Sequence, residues 1–310
     1  MTNQNIKDIL LIPEVENLFK IFGDNKIYLV GGCVRNALSN EKVNDIDFAS
    51  ILNPDEIINT LKFNNIKFID IGKDHGTITA IINNNKYEIT SCRSDIDTDG
   101  RHAVVKYTDN IKEDSNRRDF TINAIYVDAS GKIFDFHNGI IDLKEKKIKF
   151  IGDLETRIQE DYLRILRFFR FQCDYQSEEI KKEELLLIKK NIDGLNKVSK
   201  ERLWIELKNI IKHKNSIKPL KNMQEIGIFE MIFEGIEINQ SYEKLSSILA
   251  NLKLSNTLGC KLSSLLNNDE EKIKNFIKDN PVSNLERDSI LKLSNISSKM
   301  VSYMSMREAR

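Results

Sequence analysis

The sequence predicts an α+β chain, with a mixed-sheet domain to about residue 150 and an all-helical part after it. Three observations predict this. Segments rich in Ile, Thr and Tyr recur between residues 26 and 136. Apolar residues at helical spacing stand beside them, in the stretch 6–22. From about residue 153 the strand signals stop and helical periods dominate to the end.

In chain order, residues 6–22 read as one amphipathic helix, with Ile6, Ile9, Leu10, Val15, Leu18 and Phe19 on its apolar face. Strands follow at 26–30, 45–50, 76–83 and 86–92, and the run INNNKYEI reads as a hairpin turn between the last two. The spacer between the first two strands reads as a helix. Residues 123–136 form a second hairpin, turning at Ala129-Ser130-Gly131. Helices are expected at 154–173, 178–191, 199–213 and 217–228, then several shorter ones. There is no internal repeat and no low-complexity linker.

Composition narrows the function class. The formal net charge is zero with 30% charged residues, so nucleic-acid binding requires a local patch of charge. Cys33, Cys92, Cys173 and Cys260 are widely spaced without a C-x-x-C pair. That argues against a zinc site or a disulfide framework and fits a reducing compartment. The first residues carry acids and lack the charged-then-apolar order of a signal peptide, and no apolar run is long enough to span a bilayer. The expectation is a cytoplasmic protein without a membrane and with no obligate protein partner evident.

The stretch YLVGGCVRNALSNEKVNDIDFAS, residues 28–50, carries the chemistry. Asp45 and Asp47 alternate on a strand and therefore point the same way. Two close carboxylates stay ionised most easily when a divalent cation bridges them, and Mg²⁺ suits few carboxylates plus phosphate oxygens. An isolated D-x-D is otherwise a solvated strand face. Glu88, between Tyr87 and Ile89 on a later strand, is a third acid that would complete a two-metal cage. Ahead of the pair, Gly31 and Gly32 let backbone N–H groups approach phosphate, and Arg35 follows in the first turn of a helix. This is neither a dinucleotide fingerprint nor a Walker A loop.

These residues resemble the head motif of the polymerase β-type nucleotidyltransferase superfamily. In detail they are similar to the class II tRNA nucleotidyltransferases, the CCA-adding enzymes, and to bacterial poly(A) polymerases. Further segments follow in the family's order: 72–80, 87–103, 117–128, 134–143, 157–171 and 199–211. The likeness covers roughly residues 26 to 215, and Asn36 departs from the Asp usual after the arginine. It implies a nucleotidyltransferase head over 1–150 that binds metal and triphosphate, a neck over 151–215 that reads the base, and a helical body with an abbreviated tail over 216–310 that binds tRNA.

The resemblance implies roles residue by residue. Asp45, Asp47 and Glu88 are the candidate catalytic acids, and Asp45 and Asp47 the ligands of two Mg²⁺ ions. Gly31, Gly32, Arg35 and Arg118 would bind the nucleotide, with Asp119 holding Arg117 and Arg118 by charge-assisted hydrogen bonds. Asn123, Asp135 and Gly139 would support the site, the last two as a hinge-like segment. Asp161 and Arg164 match the family's protein template, with Arg167 and Arg170 serving the base plane or the phosphates. On a helical wheel Asp161, Arg164, Arg167 and Arg170 share one side, together with Phe168 and Phe171, which would suit stacking on a base.

The base code follows from hydrogen-bond inventories. Cytosine and adenine each offer an amino donor to Asp161 and a ring acceptor to Arg164, and uracil and guanine reverse the order. The loop 94–103 resembles the segment needed to switch from C to A, which favours full CCA addition. The four histidines are scattered, and no His-Asp dipeptide marks a phosphohydrolase domain. The expected reaction adds C, C and A to the tRNA 3′ end from CTP and ATP, without a nucleic-acid template. The alternatives are a poly(A) polymerase, a specialised CC- or A-adding enzyme, and an inactive RNA-binding protein.

Overall fold

The computed structural model describes residues 3–95, 105–175, 179–252 and 257–292. The chain divides into two compact units, Met1–Asp153 and Leu154–Arg310. Residues 96–103 of the loop expected to govern the C-to-A switch lie outside the described residues.

The first unit opens with α1 (Gln4–Leu10) and α2 (Pro13–Phe22), not with one helix over 6–22. Pro13 explains the break. It has no N–H to donate and forces Ile12 out of helical geometry, to φ −65° and ψ 123°, so α2 starts afresh. The unit continues with β1 (Ile27–Val30), α3 (Gly32–Leu38), β2 (Ile46–Ser50), α4 (Pro54–Phe63), β3 (Lys67–Ile69), β4 (Thr77–Ile82) and β5 (Asn85–Ser91). Then come β6 (Arg93–Asp95), β7 (Val105–Tyr107), α5 (Ile111–Asn116), β8 (Ile125–Val127), β9 (Ile133–Asp135) and α6 (Gly139–Lys144). The turn between β4 and β5 is Asn83-Asn84, both at positive φ as a tight hairpin requires.

The main sheet has the order β3-β4-β5-β2-β1-β8-β9. β2 and β5 run parallel, in a register that sets Asp47 opposite Glu88, and the other neighbours are antiparallel. Alternation sorts the side chains. Leu29, Phe48, Tyr87 and Ile89 join Val15, Leu18 and Ile57 in the core under α1 to α4. Tyr28, Val30, Ala49 and Tyr126 form a smaller cluster on the opposite face. Asp47 and Glu88 therefore stand on the face away from those helices.

The second unit is helical: α7 (Leu154–Glu160), α8 (Arg164–Asp174), α9 (Lys182–Asn191), α10 (Lys200–Lys212), α11 (Ile217–Glu225), α12 (Ile228–Ile232), α13 (Gln240–Asn251), α14 (Leu258–Leu265) and α15 (Glu270–Asp279). The expected helix over 154–173 is broken at 161–163, where the Asp161 side chain accepts from the Leu163 N–H at 3.1 Å. The expected helix over 217–228 ends at Gly227, whose φ of 87° suits glycine, and α12 follows. α8 packs against both α10 and α11, and α10 also meets α14. Among the described residues no helix is long and apolar enough to cross a membrane.

Candidate active site

On the face of the sheet away from α1 to α4, Glu88 is exposed and Asp47 is half-buried; Asp45 is exposed one residue ahead of β2, which starts at Ile46 and not at the expected 45. The Asp47 carboxyl is pushed up to about 6, first by burial, then by the charges of Glu88 and Asp45, with Arg118 pulling the other way. The three acids thus form one like-charged patch. Among the described residues no three His, Cys, Asp or Glu side chains are gathered closely enough to hold a metal ion. Glu88 is exposed on the neighbouring strand β5 and acts on Asp47 through its charge. Two carboxylates are still a donor set that fits Mg²⁺, which completes its shell with water and substrate oxygens.

β1 runs into Gly31, whose φ of 77° is open to glycine, and α3 begins at Gly32. Cys33 pins this turn to β2. Its buried Sγ donates to the Val30 carbonyl at 3.3 Å and lies 3.7 Å from the Asp47 carbonyl. Arg35 Nη2 donates to Asn36 Oδ1 at 3.0 Å, and Nη1 donates to Asn123 Oδ1. Asn123 in turn donates to Asp119 Oδ1 at 3.0 Å, which also accepts from the Phe120 N–H at 2.8 Å. The carboxylate holding Arg117 and Arg118 is Asp114, with distances of 2.6 Å and 3.0 Å. Asp119, which the sequence suggests for this role, bonds the Phe120 N–H and Asn123. Burial raises the Asp114 carboxyl, but Arg118 and Arg117 outweigh it and leave it at about 2.

Asp135 and Gly139 act together at the start of α6. The Asp135 carboxylate accepts from the N–H groups of Gly139 and Ile140 at 2.8 and 2.9 Å. A Cβ on Gly139 would lie 2.2 Å from the Thr121 carbonyl, so only glycine lets α6 approach that turn.

In the helical unit, Asp161 Oδ2 accepts from Arg202 Nη2 at 2.8 Å. Arg164 is buried, and its Nη1 donates to the Arg157 carbonyl and to Glu160 Oε2, each at 2.7 Å. Glu206 collects the other two arginines, with Arg170 Nε at 2.6 Å and Arg167 Nη1 at 3.5 Å. Phe168 and Phe171 are both 1% exposed, so neither offers a face to a base. α10 and α11 cover α8 on two sides and absorb them. Phe171 instead receives Arg170 over its ring, 4.2 Å from the centroid.

Asp114, Tyr126, Glu160, Arg202 and Glu206 were not singled out in the sequence. Asp114 and Glu160 carried a local signal, each three and four residues from the two arginines it holds.

A family model described as the poly(A) polymerase head domain matches residues 27–149. A second, described as "Probable RNA and SrmB- binding site of polymerase A", matches 179–239, and together they take in more than half of the chain. The chain belongs to the poly(A) polymerase head-domain family. Among curated relatives, the human protein named CCA tRNA nucleotidyltransferase 1, mitochondrial, is 38% identical over 255 residues, 77% of this chain and 58% of that protein. A CCA-adding enzyme of Staphylococcus haemolyticus is 34% identical over 262 residues, 81% of this chain and 64% of that protein. The chain thus spans about six tenths of the length of these relatives. The solved Bacillus stearothermophilus CCA-adding enzyme in complex with CTP superposes with a TM-score of 0.75 at 24% identity, covering 95% of this chain and 70% of that one. The Thermotoga maritima CCA-adding enzyme complexed with tRNA gives 0.68 at 22%, covering 99% and 76%. These structures share the fold of this family member.

Proposed function

We propose that this chain is a CCA-adding tRNA nucleotidyltransferase. It extends the tRNA 3′ end with C, C and A from CTP and ATP, releases pyrophosphate and uses no nucleic-acid template. The observation that carries the reading is the acidic patch, where Asp47 is driven to about 6 beside Asp45 and Glu88. A fold maintains such repulsion where a cation is to be received. The names of the relatives support CCA addition over a poly(A) tail.

The residues divide the work. Asp45 and Asp47 would hold Mg²⁺, which when bound neutralises the triphosphate and lowers the barrier to phosphoryl transfer. The turn at Gly31-Gly32 admits phosphate oxygens to the backbone, and Arg35 and Arg118 bind them through their guanidiniums. Asp161 accepts from the amino group of cytosine or adenine, and Arg164 donates to the neighbouring ring nitrogen. Leu163 N–H and Arg202 each take one Asp161 oxygen, and an oxygen has two lone pairs, so capacity for the base remains. Uracil or guanine would present the opposite pattern and leave buried polar groups unpaired, at about 1–3 kcal/mol each. We place the protein in the cytoplasm, a reading supported by four buried, widely spaced cysteines without a C-x-x-C pair.

The test offers tRNA lacking its end, tRNA ending in C or CC, and generic RNA, with each labelled nucleotide and Mg²⁺. Ordered addition of C, C and A followed by arrest is the expected result. Long A tails on generic RNA would sink the reading in favour of a poly(A) polymerase. Asp45→Ala is expected to abolish transfer, whereas Arg164→Ala slows or relaxes nucleotide choice.

A further inference from the structure

Asp114 is completely buried, at 0% exposure, in α5. Its Oδ1 accepts from Arg117 Nε at 2.6 Å and from the backbone N–H of Arg93, the first residue of β6, at 3.3 Å. Its Oδ2 accepts from Arg118 Nε and Nη2 at 3.2 and 3.0 Å and from the Tyr126 hydroxyl at 2.7 Å. That hydroxyl accepts in turn from Arg118 Nε at 2.7 Å. The Arg118 guanidinium also lies over the Tyr126 ring, 5.1 Å from its centroid. One guanidinium is therefore fixed by a carboxylate, a hydroxyl and a ring face.

The anchors are themselves fixed. Tyr126 belongs to β8 and is paired in register with Val30 of β1. α5 is capped by the Asn110 side chain on the Lys112 N–H at 2.9 Å. It is also tied beyond β9 by Ser115 Oγ to His137 Nε2 at 2.8 Å. Val30 ends β1 directly ahead of Gly31, so the clamp on β8 stands beside the glycine turn.

We propose that Asp114 and Tyr126 are positioning residues for triphosphate binding, holding Arg117 and Arg118 in the arrangement that receives the phosphates. The inference rests on the nucleotidyltransferase reading above. An arginine left to itself must be ordered when the ligand arrives, and that cost weakens binding. A guanidinium held by a buried carboxylate and hydroxyl is ordered when the chain folds, so binding does not bear the cost again. The phosphates are common to CTP and ATP, so the clamp acts on both nucleotides alike.

The test uses the full chain and Tyr126→Phe, which removes one oxygen and keeps the ring, with Asp114→Asn beside it. Binding of CTP, ATP and tripolyphosphate is measured by calorimetry, and nucleotide incorporation by steady-state kinetics on tRNA lacking its end. In Tyr126→Phe, Kd is expected to rise about five- to tenfold for all three ligands. KM should rise in step, with kcat at saturation within about twofold of the wild type. In an Arg118→Ala background the same change should add nothing, because its effect passes through Arg118. Wild-type affinity in Tyr126→Phe overturns the proposal, as does an equal further loss in the Arg118→Ala background. If Asp114→Asn fails to fold, Tyr126→Phe decides alone. Affinity loss in a protein that adds nothing to tRNA supports the clamp and sinks only the tRNA reading. A wild type that binds no triphosphate overturns both.

Discussion

Lys261 should be worth more to the fold as a methionine than as a lysine. It lies in α14 with 2% of its surface exposed. Its Nζ donates to the carbonyl of His213, the C-cap of α10, at 2.8 Å. Burial pulls the ammonium from its ordinary 10.5 down to about 8, with Cys173 opposing the shift. A cation whose pKa falls on folding costs stability wherever the unfolded chain is more protonated. Below pH 8 the full cost stands; it fades between 8 and 10.5 and is absent above. At about 1.4 kcal/mol for each pH unit of that gap, the cost at neutral pH is about 3 kcal/mol. Lys261→Met removes it and loses one hydrogen bond, worth about 1 kcal/mol. The variant should therefore be about 2 kcal/mol more stable at pH 7, with the advantage gone by pH 10.5. Urea unfolding with reductant present, followed by the fluorescence of Trp204, reads this helical unit alone, because the chain has one tryptophan. Comparing variant with wild type at each pH cancels the other titrations. A stability difference that stays flat from pH 7 to 10.5, or a variant less stable at pH 7, would refute the reasoning.

Two further outcomes are expected. A Cβ on Gly194 would lie 2.0 Å from the Tyr162 ring, beside Asp161. Gly194→Ala should cost about 1–3 kcal/mol in the same urea assay and alter discrimination between C and A in single-nucleotide incorporation; unchanged values in both would show that the ring swings aside freely. Burial raises the Glu286 carboxyl, but Lys208 Nζ at 2.6 Å and the groups of Ser283 outweigh it and hold it at about 2, below its ordinary 4.5. Its contribution is therefore complete above pH 4.5 and lost as pH falls toward 2. Glu286→Gln should be about 2 kcal/mol less stable than the wild type at pH 7, and the two should converge in acid. A gap that persists at pH 2 would contradict this.

The sheet and the acidic patch could be read from the sequence because both rest on local periodicity. Period-two alternation set Asp47 apart from the core-facing Phe48, and the Asn-rich turn at 83–84 marked the β4–β5 hairpin. Breaks in helices were harder. Pro13 was visible and should have divided α1 from α2. Asp161 carries no such mark, because its turn is made by its own side chain bonding to Leu163 N–H. The short strands β3, β6 and β7, three residues each, offer too little pattern to stand out. Most partners of the arginines were also hidden. Glu206 reaches Arg170 only through the packing of α10 on α8, which no spacing along the chain encodes. The wheel that set Phe168 and Phe171 among arginines assigned one wet face, whereas α8 is covered on two sides.

The parallel pairing of β2 with β5 bears on how the protein comes to be active. Asp47 and Glu88 meet only after the chain has travelled through α4, β3 and β4 and returned beside β2. Closing such a loop is entropically costly, and contacts distant in sequence form late and slowly. The repulsion between Asp47 and Glu88 is therefore absent from the early collapsed chain and arises only as this pairing closes, whereas that of Asp45, two residues from Asp47, is local. A head stalled before that step would keep its D-x-D strand and its glycine turn while lacking the electrostatic setting of Asp47. Competence for cation binding should thus trail secondary-structure formation during refolding, making the acidic patch a reporter of the β2–β5 pairing.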